Sequence, residues 1–171
     1  MTTPSLPKTA QSEANRSAAL RDLLRTRQRL LVLTHHNPDP DSLGGAIGLM
    51  EFARLACGME AKLAITGRVL RAENQAMVRE LGGEMDRLDT IKLSDFDCVA
   101  LVDTQPGFGH TFVPAGTNVD VVVDHHVCDD SKLDPDVTAF VDVRPDIGAT
   151  STIVASYLMH AGVEPSARAA T

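Results

Sequence analysis

Apolar residues along the chain alternate between two arrangements. Short unbroken runs bounded by polar residues occur at 30–34 (LLVLT), 61–66 (AKLAIT), 98–102 (CVALV) and 119–123 (VDVVV), with a shorter one at 139–141. Runs of this length and character read as buried strands of a parallel sheet. Between them, apolar positions recur at helical spacing: Leu20, Leu23 and Leu24; Leu43, Ala46, Ile47, Met50 and Ala53; a stretch over 73–81; and Ile153, Val154, Tyr157 and Leu158 within 152–159. Asp41 or Ser42 is placed to cap the second helix and Gly58 to end it, while Gly82-Gly83 closes the third. Strands alternating with helices predict an α/β fold: a doubly wound, mostly parallel sheet with helices on both faces. Residues 1–15 are polar and read as a flexible lead-in, leaving 16–171 for the domain.

Composition narrows the functional classes. The 171 residues, 43% apolar and 23% charged, suit one globular domain with a real core. No run of about 18 apolar residues occurs, so no membrane partner is expected. The start of the chain lacks the apolar stretch of a secretory signal. Cys57, Cys98 and Cys128 lie far apart in no paired motif and read as reduced thiols of a cytoplasmic protein. A net charge of -7 excludes a broad electrostatic grip on nucleic acid. Two divalent cations, adding about +4 where carboxylates crowd together, would still let a phosphate approach locally.

The acidic and imidazole residues sit where such a fold places its ligands. His35, Asp39 and Asp41 follow the first strand, Asp103 ends CVALVD, and Asp124, His125 and His126 end VDVVVD. The carboxyl ends of parallel strands form the ligand crevice, so three distant segments converge. Carboxylates packed together repel unless a cation balances them. Mixed carboxylate and imidazole ligands suit manganese, with magnesium or cobalt as alternatives. Two ions about 3.5–4 Å apart can activate water and clamp a phosphoryl group, and one carboxylate can bridge them. Taken singly, Asp39 and Asp41 also fit a turn and helix cap, and Asp103 a turn after a strand. IGATST, 147–152, opens the last helix; its amides could hold a phosphate, or Thr150 or Ser151 could cap it. Arg144 is a nearby cation that could contact the same phosphate. His110 and His160 have no ligands around them in sequence and read as surface or packing residues.

These segments resemble the motifs of the DHH phosphoesterase superfamily: HHNPDPDSLGG at 35–45, the end of CVALVD, the triplet Asp124-His125-His126, and VRPDIGATSTIV further on. The similarity spans 30–159, with Gly45 standing where many members carry Ser. The resemblance implies that His35 and Asp39 bind one metal, that Asp41 and His125 bind a second, and that Asp103 bridges them. His126 is then the proton donor or charge stabiliser beside the phosphate, and Asp124 orients the imidazoles from behind. It further implies a manganese-dependent hydrolase of short single-stranded oligoribonucleotides or of 3′-phosphoadenosine 5′-phosphate, and leaves a homodimer open. Cyclic-dinucleotide phosphodiesterase and inorganic pyrophosphatase are the rival activities; a non-catalytic metal- or nucleotide-binding module is the rival of another class. In the family a further strand with one more aspartate ligand and a C-terminal substrate-binding domain follow. On that pattern the domain is expected to be incomplete at its C-terminus and weak in turnover alone.

Overall fold

The computed structural model describes residues 8–80, 85–127, 138–167 and 169–170. In chain order the elements are α1 (Lys8–Leu24), β1 (Arg29–Leu33), α2 (Pro40–Glu51), β2 (Glu60–Ile65), α3 (Ala72–Glu80), β3 (Met85–Arg87), β4 (Cys98–Val102), β5 (Val121–Asp124), β6 (Phe140–Val143) and α4 (Thr150–His160). The six strands form one sheet in the order β3-β2-β1-β4-β5-β6, every pairing parallel. The order reverses between β1 and β4, where β1 neighbours β2 on one side and β4 on the other. An open parallel sheet has its ligand crevice at such a switch point.

The apolar runs become the sheet because both of its faces are covered. Side chains alternate across the pleat. Leu30, Val32, Ala100, Val102, Val121 and Val123 face one core, shared with Leu20 and Leu24 of α1, Leu43 and Ile47 of α2, and Tyr157 of α4. Met77 and Val78 of α3 pack against the same core. Leu31, Leu33, Val99, Leu101 and Val122 face the other. There the cover is Leu88 with Ile91, Leu93, Phe96 and Val113, from two single 3₁₀ turns (Leu88–Thr90 and Leu93–Asp95) and the loop after β4. Among the described residues, the expected helices on both faces are thus α-helices on one and 3₁₀ turns with loop on the other. Apolar residues spaced three, two and three apart suit short tight turns, not a continuous helix.

Other boundaries shift for local reasons. The first helix begins at Lys8, taking in residues assigned from sequence to a lead-in. The second helix is capped by Asp39, not by Asp41 or Ser42: its side chain accepts from the Ser42 amide, and Pro40 occupies the first turn. After Glu51 the helix continues through a π segment, Phe52–Ala56, and Gly58, at φ +69°, ends it. The three-residue β3 was not foreseen, and the last strand runs over Phe140–Val143 instead of 139–141. Cys57 and Cys98 are free thiols; Cys128, the Gly82-Gly83 stop and residues 1–7 lie outside the described residues. No helix among the described residues is long and apolar enough to cross a membrane.

Glycines on α2 let α4 come close. A Cβ at Gly48 would stand 2.9 Å from Val154 Cγ1 of α4, and one at Gly45 would stand 3.6 Å from the Ser151 amide nitrogen of α4 and 3.0 Å from Val102 Cγ1 of β4. This approach puts the start of α4 against the start of α2, where the acidic residues lie.

Candidate metal centre

The centre is built at the carboxyl ends of β1, β4 and β5. After β1 the chain turns through His35 to Asp39, and Asn74 of α3 donates to the Pro38 carbonyl at 3.0 Å to hold that turn. β4 runs into Asp103, which is 2% exposed and, at φ 60°, the one non-glycine residue with positive φ among the described residues. Its amide is anchored by the Val123 carbonyl at 3.0 Å. β5 ends in Asp124, fully buried, and hands on to His125 and His126.

Ligand-type atoms gather in two groups that share Asp103. His35, Asp39 and Asp103 form one, and Asp103, His125 and His126 the other; within each group the atoms all lie within 4.8 Å of one another. His35 Nε2 is 3.6 Å from Asp103 Oδ2, and His125 Nε2 is 3.6 Å from both Asp103 Oδ1 and Asp41 Oδ2. His126 Nδ1 is 3.7 Å from Asp103 Oδ1. The five residues expected as ligands are therefore brought together, with His126 beside them.

Hydrogen bonds orient these groups. His125 Nδ1 lies 3.2 Å from the Ile147 carbonyl, an acceptor, so Nδ1 carries the proton and Nε2 keeps its lone pair toward the carboxylates. His126 Nδ1 lies 2.8 Å from Asp124 Oδ1, which fixes that ring in the same sense. Asp124 also accepts from the His125 amide at 2.8 Å and from Gln105 Nε2 at 2.6 Å; it orients the ring of His126, while that of His125 is set by the Ile147 carbonyl.

Ser42 stands at the centre of the first group. Its hydroxyl oxygen is 2.5 Å from Asp103 Oδ2, 2.6 Å from His35 Nε2 and 3.2 Å from Asp39 Oδ1.

The start of α4 has a different role from either sequence reading. The Thr150 and Ser151 amides both donate to Asp41, each at 2.8 Å, and the Thr150 hydroxyl donates to Asp103 Oδ1 at 2.9 Å. The helix has no side-chain cap of its own; Asp41, from α2, satisfies its first amides. Those amides are taken up by Asp41 and are not open to a phosphate. The Arg144 guanidinium is likewise engaged, with Asp142 at 2.6 Å and Glu13 at 3.3 Å.

Sequence reasoning missed Ser42 as an orienting group, Gln105, the Ile147 carbonyl and His110. The His110 ring meets the His35 ring edge-on at 5.5 Å, and its carbonyl accepts from the His36 amide at 2.9 Å. Phe108 stands 5.6 Å from His110 and 6.5 Å from His126, so an aromatic rim runs around the mouth. Its sequence signal was position alone: FGHTF begins five residues after Asp103 at the end of β4. His160 pairs with Glu13 at 3.5 Å, as a packing residue would.

Charge at the site calls for cations. Among the described residues, the ion-pair partners of Asp41, Asp103 and Asp124 are histidines, with no lysine or arginine. Burial pushes the Asp103 carboxyl up to about 6 against the bonds from Ser42 and Thr150, and Asp41 and Asp39 add to the rise. Burial also lowers His35, keeping it neutral as a ligand must be. For His126 burial works the other way from its surroundings; the hydrogen bond and charge of Asp124, with Asp103 and Asp41, prevail and raise it. A buried, shared carboxylate flanked by imidazoles, with an excess of negative charge, makes a set of groups that could hold divalent metal.

Comparison with known proteins agrees. The chain is 36% identical over 144 residues to an uncharacterised protein of Methanocaldococcus jannaschii, a match covering 83% of this chain and 28% of that one. It superposes on the crystal structure of an exopolyphosphatase-related protein from Bacteroides fragilis with a TM-score of 0.67, covering 92% of this chain and 46% of that one. At 16% identity, this second likeness is one of fold. The chain thus spans less than half the length of either relative. The family model for the DHH family, N-terminal domain, matches residues 29–170, and the chain belongs to that family.

Proposed function

We propose that this centre is that of a manganese-dependent phosphoesterase working with two ions on short oligoribonucleotides or 3′-phosphoadenosine 5′-phosphate. The observation that carries the reading is Asp103, buried and common to both ligand groups. His35, Asp39 and Asp103 would hold one ion; Asp41, Asp103 and His125 would hold the other. When bound, such ions supply Lewis acidity to water and to the phosphoryl oxygens.

The chain's own groups do the rest. Ser42 bonds one Asp103 oxygen and Thr150 the other, which sets the carboxylate plane with one oxygen toward each group. Asp124 keeps His126 protonated at Nδ1, and the half-exposed ring presents Nε2 to the mouth. The raised His126 suits a proton donor to the leaving oxygen, which departs as an alcohol while the phosphoryl group takes up the oxygen of water.

Calorimetric titration of the metal-free chain with manganese tests this. Two sites are expected. His35→Ala should remove one, His125→Ala the other, and Asp103→Asn both. Binding that survives Asp103→Asn would sink the shared-carboxylate reading. Hydrolysis assays on the dinucleotide pApA, 3′-phosphoadenosine 5′-phosphate, a cyclic dinucleotide, pyrophosphate and polyphosphate then separate the activities.

A further inference from the structure

We infer that the cleft beside the metal centre, at the carboxyl ends of β2 and β3, is a nucleobase subsite, so that the substrate is a nucleotide and not a chain of phosphates. This inference rests on the metal-centre reading above and names its substrate class. The cleft has a volume of about 340 Å³, within the range of about 300–1,000 Å³ usual for small-ligand sites. Its walls include Ile65, Leu88, Phe112 and Pro114, with His36 and Thr66 as polar members.

Position comes first. β2 pairs directly with β1, Leu33 opposite Ala64, so the cleft opens one strand over from His35. His36 follows His35 in the chain and forms part of the wall. Its amide donates to the His110 carbonyl, which ties the ligand turn to the loop that carries Phe112. A phosphate on the centre could thus extend its sugar and base into the cleft.

The lining chemistry favours a planar, neutral ring. Phe112 is a large apolar side chain left 58% exposed at the opening, and exposed aromatics are the usual stacking platforms for bases. The arginine of the wall, Arg87, is engaged by Asp89 through two bonds, at 3.0 and 2.5 Å. A second phosphate entering here would meet apolar carbon and a cation already neutralised.

His36 is also held in place. Its Nδ1 is 3.2 Å from Thr66 Oγ1. Gly67 seats it: a Cβ there would stand 1.9 Å from the His36 carbonyl oxygen and 2.7 Å from its ring Cδ2. A fixed imidazole beside a hydroxyl gives the edge of a base something to hydrogen-bond.

The test compares AMP with ribose 5-phosphate, which has the same sugar phosphate and no base, on the manganese-loaded chain by calorimetry. AMP is expected to bind about ten-fold tighter, as one stacked base allows. Phe112→Ala should bring AMP down to the ribose 5-phosphate level and leave ribose 5-phosphate unchanged. Equal affinities in the unaltered chain, or a Phe112→Ala loss shared by both ligands, would overturn the subsite. Adenosine reads the cleft without the centre: saturation-transfer NMR signals that Phe112→Ala abolishes support the proposal even if manganese fails to bind, and their absence from the unaltered chain refutes it. Ribose 5-phosphate binding that survives Asp103→Asn would instead count against the metal centre.

Discussion

At the scale of single residues, Asp103 concentrates the energetics of the site. It is buried, in a left-handed backbone conformation, and shared by both ligand groups. In the metal-free fold its carboxyl sits near 6, above its ordinary value of 3.8. Between those values the folded state holds a proton that the unfolded chain has released. The contribution of Asp103 to stability is therefore present below that window and lost as pH rises through it, by an amount on the order of 2–3 kcal/mol. Urea unfolding of the metal-free chain from pH 4 to 7 should show this decline, Asp103→Asn should flatten it, and saturating manganese at pH 7 should more than reverse it. A metal-free stability that instead rose through the Asp103 window would contradict the assignment. Ser42→Ala and Asp124→Asn should each weaken manganese binding by about 10–100-fold with the far-UV dichroism unchanged, because each removes a group that aims a ligand. The convergence of the candidate ligands was legible in the sequence because three separate strand ends carry Asp or His, although singly Asp39 and Asp41 also fit caps, and both do cap helices here. Ser42 and Gln105 were not, because a hydroxyl or amide acquires its role only from neighbours brought in from β4 and β5.

At the scale of elements, the site depends on α4 being docked against α2. Asp41 joins them, taking both leading amides of α4 while facing His125. Asp41→Ala should cost about 2 kcal/mol even without metal, by leaving those amides unpaired, and should also lose the second ion. Both are measurable on one sample, by denaturation and by titration. Gly48→Val should destabilise by about 1–3 kcal/mol through overpacking on Val154, and should loosen Thr150 from Asp103. The strands were legible as apolar runs because β1, β4 and β5 are covered on both faces. What escaped was short or irregular: β3, the 3₁₀ cover and the π segment, whose three to five residues carry too little periodicity to announce themselves. The cap on α4 escaped for another reason, since its acceptor lies 109 positions away in sequence from Thr150.

At the scale of the molecule, cations and fold are linked by mass action. Ions that bind only the folded chain stabilise it by about 2.7 kcal/mol at a hundred-fold excess over the dissociation constant, a rise of roughly 5–10 °C in Tm for a domain of this size. A thermal scan with and without a chelator would detect it. The order of assembly follows too. β1 is joined to β2 through one intervening helix, whereas β4 reaches β1 only after a long excursion of the chain and β5 then adds to β4, and contacts of that kind form late. Manganese is then a witness to completed folding. In a refolding time course, the six-line electron paramagnetic resonance spectrum of aqueous manganese should persist while helices recover, and collapse only when the last of the three strands closes the ring of ligands.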